Sequence, residues 1–192
     1  MPSSASKKLL KELPSREEMK ENIQKLESLP DAAAVMMAAA YLDHGLQIML
    51  RALFIELPKE ELAALFEAGG AGSLSSTSQK ARMAYALGLL SKPTYDDLKT
   101  IITIRNVFAH SLHEINFEHP KVQMDLESLE HCQTLIAAKM PGAFIKSPKY
   151  KFLLTVDFFF FMFTQQAERM IKTQVSYRMP DSHVDAPIPP ER

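Results

Sequence analysis

Residues 32–42 read Ala-Ala-Ala-Val-Met-Met-Ala-Ala-Ala-Tyr-Leu, apolar on every side of a helix. A segment of that kind predicts a helix buried at the centre of a bundle, where small side chains let neighbouring helices approach closely. Ser28-Leu29-Pro30-Asp31 opens it, and apolar residues resume from Leu46 to about residue 57. Between the two runs stand Asp43, His44 and Gly45. They form either an exposed strip or one wall of a polar cavity.

The remaining segments carry the same helical period. Ser15-Arg16-Glu17-Glu18 is a capping box that starts a short helix over residues 16–28, an arm laid on the main body. Pro58 starts a helix to about residue 67, with Leu62, Leu65 and Phe66 inward. A Gly/Ser-rich loop, residues 69–78, precedes a helix over 79–90 with Met83, Leu87 and Leu90 on one face. The loop lacks the Gly-Lys-Ser/Thr ending of a nucleotide-triphosphate loop, so it is expected to be a connector with a serine N-cap. Further helices are predicted from Thr94, over 122–139, and from Ser147-Pro148 to about residue 173, the last holding the run Phe158 to Phe161. The fold class is therefore all-α: a single-domain helical bundle with an N-terminal helical arm. The domains expected are an arm over 1–30, a helical domain over 31–175 and a disordered tail over 176–192, which has little to bury.

With hydrophobic residues at 46% and charged residues at 23%, the composition is that of an ordinary globular protein. The formal net charge of −1 lacks the surplus of Lys and Arg with which an autonomous DNA-binding domain displaces counterions. No second helix follows residues 16–28 at helix-turn-helix spacing, so no direct sequence-specific DNA binding is expected. A single cysteine, Cys132, excludes an internal disulfide framework and suits a reducing compartment. With no secretory signal and no membrane-spanning run at residues 152–163, the expectation is a cytoplasmic protein with no membrane partner.

The candidate site lies in Arg105-Asn106-Val107-Phe108-Ala109-His110. On a helix, Leu98, Ile101, Ile102, Phe108 and Ala109 fall within about 60° of Arg105. An arginine in the middle of an apolar arc must find carboxylates, carbonyls or an anionic ligand. Two readings stand: a clamp paired with an internal acid such as Asp43, or a functional site. His110 lies about 140° further round, so it meets Arg105 only if the chain turns or a second copy supplies it. His110, His113 and His119 lack the acid or cysteine partners of a zinc site, and no metal or other cofactor is expected. Ser111 lacks a nucleophile elbow.

Arg105-Asn106 followed by His110 resembles the Arg–polar–x3–His signature of the HEPN superfamily. That resemblance implies an all-helical and usually dimeric domain, in many members a metal-independent RNase and in others non-catalytic. The wider stretch is similar to the mannitol operon repressor (MtlR) family, through Gly72-Ser73-Leu74-Ser75-Ser76, residues 84–90, residues 104–111 and Asn116-Phe117-Glu118-His119-Pro120. The similarity spans about residues 31–138; Thr77 and the small-residue loop 69–72 depart from it. It implies a repressor-type transcriptional regulator without its own DNA-binding motif, acting through a protein partner such as a transcription factor, with a homodimer expected. Asp43, His44, Ser75, Ser76, Arg105, Asn106 and His110 are the candidate pocket or interaction residues. No catalytic residue is assigned on this reading. The alternative is a HEPN-type RNase acting on RNA, with His110 as general acid/base, Arg105 stabilising phosphate charge and Asn106 orienting the phosphate or the histidine.

Overall fold

The computed structural model describes residues 8, 13–54, 57–67, 72–111, 115–139 and 147–173. Gly69, Gly70, His113 and the tail expected over 176–192 lie outside them. Among the described residues the elements are helices: α1 (Arg16–Glu27), α2 (Asp31–Arg51), α3 (Lys59–Phe66), α4 (Thr77–Ala86), α5 (Lys92–His110), α6 (Pro120–Glu127), α7 (Glu130–Lys139) and α8 (Pro148–Thr173). The all-α expectation holds.

The two longest helices, α2 and α8, pack together along their lengths and form the spine. Leu42, Leu46 and Met49 of α2 and Phe152, Phe159 and Phe163 of α8 are almost wholly inaccessible. Their close approach depends on Gly45. A Cβ there would stand 2.7 Å from Cδ2 of Phe160 and 3.3 Å from Cδ2 of Phe163. Gly45→Ala is therefore expected to lower stability by about 1–3 kcal/mol, because two packed rings must move; urea unfolding measures this directly. A loss under about 0.5 kcal/mol would show that the rings are free to shift.

α2 is central but not buried all round. Met36 is 38% and Met37 55% exposed, and Ala32, Ala33 and Ala40 also face outward. Its composition would let it cross a membrane, yet its inner face is packed by α8, α4 and α5. It also ends at Arg51, short of residue 57.

Local chemistry explains most helix ends. The Ser15/Glu18 capping box forms as predicted, and Met19 and Leu26 bury α1 against α8 and α2. α4 stops at Ala86 because Gly88 takes φ +70°, letting the amides of Gly88 and Leu89 reach the carbonyls of Tyr85 and Ala84. Its buried face is Lys80, Ala81 and Ala84; of the three residues expected on one face, Met83 and Leu87 are exposed and Leu90 is buried. α5 is capped by Ser91, three residues before Thr94.

The single helix expected over 122–139 is broken at Ser128-Leu129, with neither glycine nor proline at the break. Asp97 of α5 caps the second half from across the core, accepting the Cys132 amide at 2.6 Å. Burial raises the Asp97 carboxyl above its ordinary range, and this amide bond works against that rise. Burial also pushes the Cys132 thiol far up, which leaves it a core side chain and not a nucleophile.

Candidate functional site

The face of α5 that enters the core is Thr94, Asp97, Leu98, Ile101, Ile104 and Phe108. The centre of that arc lies about 50° from Arg105. Arg105 is thus half-buried at the flank of the apolar face and not at its middle, and Ala109 is exposed. Beside it, Ile102 and Asn106 turn toward α2 and the start of α4.

An open cavity of about 480 Å³ lies between these elements. α2 supplies Met36, Ala39, Ala40 and Asp43, the start of α4 supplies Ser75 to Ser78, and α5 supplies Ile102, Arg105 and Asn106. Five of the candidate residues therefore share one cavity: Asp43, Ser75, Ser76, Arg105 and Asn106. His44 is exposed and lines no part of it. His110, also exposed, is the last residue of a helix that runs straight through the motif, so within one chain it does not converge with Arg105.

The acid partner suggested for Arg105 is taken by another cation. Lys80, 2% exposed, donates to both carboxylate oxygens of Asp43 at 2.8 and 2.7 Å. Thr77 Oγ1 donates to the same carboxylate at 2.8 Å. Arg105 Nη1 donates to Asn106 Oδ1 at 3.1 Å, and no carboxylate among the described residues pairs with it. The clamp is therefore Lys80–Asp43, joining α4 to α2. Sequence reasoning missed Lys80, although it shares a helical face with Ala81 and Ala84. A cation on an apolar face is the signal that was available.

The serines at the cavity edge have local duties. Ser76 Oγ accepts the Gln79 amide at 3.2 Å, and Gln79 Oε1 accepts the Ser76 amide at 2.9 Å, a second capping box. Ser75 Oγ donates to the same Gln79 oxygen at 3.2 Å. His119 caps α6, its Nδ1 accepting the Lys121 amide at 3.3 Å. Among the described residues no group of three or more His, Cys, Asp or Glu side chains gathers into a metal site.

This helical bundle is a fold already seen in a solved structure. The MtlR partner in an X-ray structure of the MtlR–HPr complex from Escherichia coli superposes with a TM-score of 0.59 at 15% identity, over 76% of this chain and 98% of that one. A possible transcriptional regulator, YggD from Shigella flexneri, gives 0.49 at 15% identity, over 79% and 98%. No curated protein sequence matches the chain significantly. The profile of MtlR, the mannitol repressor, matches residues 18–179. The chain belongs to the mannitol repressor family, and a regulator is the function that this membership supports.

Proposed function

We propose that this protein is a repressor-type transcriptional regulator that acts through a protein partner and does not read DNA itself. The observation that carries this reading is membership of the mannitol repressor family, joined to large apolar side chains left exposed on two helices. α2 turns Met37 outward at 55% exposure and α4 turns Met83 outward at 40%, with Leu87 just beyond the end of α4 at 50%. Flexible, polarisable methionines suit a surface that a partner covers. The net charge of −1 supports a protein partner over nucleic acid. The similar MtlR structure is of a complex with a protein, HPr, and an HPr-type protein is a natural first partner to try. We place the protein in the cytoplasm, in keeping with its one buried cysteine.

The test is an affinity pull-down of the tagged protein from its host, with and without nuclease, alongside the double variant Met37→Asp, Met83→Asp. The expected result is a defined protein, retained after nuclease and lost by at least about tenfold from the variant, whose melting is unchanged. Tight, sequence-selective binding of purified protein to operator DNA at physiological salt would overturn the reading.

A homodimer remains the expected assembly, to be checked by sedimentation at micromolar concentration. The RNase reading depends on it, since α5 carries Arg105 and His110 about 140° apart. RNA cleavage by wild type, lost in Arg105→Ala and His110→Ala, would establish that reading.

A further inference from the structure

We propose that the cavity between α2 and α5 binds a small organic phosphate, its phosphoryl group held by Arg105 and the start of α4. The volume of about 480 Å³ falls among small-molecule sites. The charge balance inside it selects an anion. Asp43 and Arg105 are the charged residues lining it, and Asp43 is already matched by Lys80 and Thr77. Among the described residues Arg105 is left without a counter-charge, with one of its N–H donors used on Asn106.

The polar wall has free donors at the start of α4. The Asp43 carboxylate is engaged with Lys80 and Thr77, and the hydroxyls of Ser75, Ser76 and Thr77 spend their protons on Gln79 Oε1 and on Asp43. The amides of Thr77 and Ser78 open a ten-residue helix, and among the described residues neither they nor the Ser78 hydroxyl has an acceptor. A ligand that only accepts, from several directions and with negative charge, satisfies this set. A phosphoryl group does so, with its oxygens shared between a guanidinium fork on one element and hydroxyl and amide donors on another. Met36, Ala39 and Ala40 of α2 and Ile102 of α5 give the lining an apolar part that suits the carbon skeleton of the molecule. The cavity and its unmatched arginine carry the assignment; the helix terminus adds donors to it.

The full chain, labelled with 15N, is titrated with inorganic phosphate and with glycerol 3-phosphate, against sodium chloride at matched ionic strength. The expected result is shifts concentrated at the Thr77 and Ser78 amides and the Asn106 side chain. Glycerol 3-phosphate is expected to saturate at lower concentration than inorganic phosphate. Arg105→Gln weakens both by about tenfold or more, as loss of charge-assisted hydrogen bonds predicts, and Arg105→Lys recovers part. Unchanged amide signals in the core show that each variant is folded. Shifts spread over surface lysines, or equal affinity in Arg105→Gln, mean an adventitious ion only and overturn the proposal. Equal affinity for the two phosphates overturns the organic half of it. A short single-stranded RNA that saturates the same signals at lower concentration overturns the small-molecule assignment.

Discussion

Asp43→Ala is expected to destabilise the protein by about 3–5 kcal/mol and to lower its melting temperature by roughly 6–20 °C. The size follows from which partner is left behind. Lys80 has only 3% of its side chain exposed, so without Asp43 its ammonium loses its counter-charge inside α4's buried face. Lys80→Met has the opposite geometry. It leaves Asp43 with 29% of its side chain exposed, at the edge of an open cavity and still bonded to Thr77. That variant is expected to lose less than half as much. The double variant should recover much of what Asp43→Ala loses, because a buried ion pair replaced by an apolar side chain is often neutral. Denaturant unfolding of the three variants checks the cycle. Equal losses for the two single variants would mean that water reaches Lys80 as readily as Asp43.

Asp157→Asn is expected to stabilise the protein at pH 8 by about 2–4 kcal/mol, and to do nothing below about pH 4. Asp157 lies half-buried in α8 with buried Val156 and Phe158 on either side. Burial pushes its carboxyl up to about 7, from an ordinary value of 3.8. The folded state therefore holds this proton more tightly than the unfolded chain does. Below pH 4 both states are protonated and the group costs nothing. As pH rises from 4 to 7 the unfolded chain releases the proton first, and folding must either retain it or bury a charge. The full cost is present above pH 7. Tyr41, whose hydroxyl is bonded to Asn22, feels the negative charge of both Asp157 and Glu18, and its own proton is held more tightly, chiefly by burial. No cation is among those influences. The difference in unfolding free energy between wild type and Asp157→Asn, followed from pH 4 to 8, isolates this group from the other carboxylates. A flat difference would show that the carboxylate is solvated in the folded state.

How much of this was legible depended on whether the deciding partner was near in the chain. The capping boxes at Ser15 and Ser76 and the Ser147-Pro148 start are local, and the hydrogen bonds at Ser15 and Ser147 form as their residue types predict. The break at Ser128 was not legible, because Asp97, which caps the following helix, is 35 residues from Cys132. Arg105 was singled out for an apolar arc that its helix does share. The arc's true centre was set by which side of α5 faces α2, α4, α6 and α7, and a helical projection alone does not fix that direction.

The candidate site divides in the same way. Ser75, Ser76, Arg105 and Asn106 stood out by residue type, and the tertiary structure gathers them with Asp43 along one cavity. His44 and His110 stood out equally and line no part of it: His44 is turned about 100° from Asp43 on α2, and His110 ends α5 one turn beyond Asn106. By itself, the sequence determined a helical protein, its principal helices and many of their caps, because period and capping are properties of neighbours within a few residues. Only the tertiary structure decided that Lys80 and not Arg105 matches Asp43, that α2 leaves Met36 and Met37 outside, and that Arg105 meets no carboxylate among the described residues at its cavity. Those outcomes depend on burial, and burial is set by elements that meet in space from distant parts of the chain.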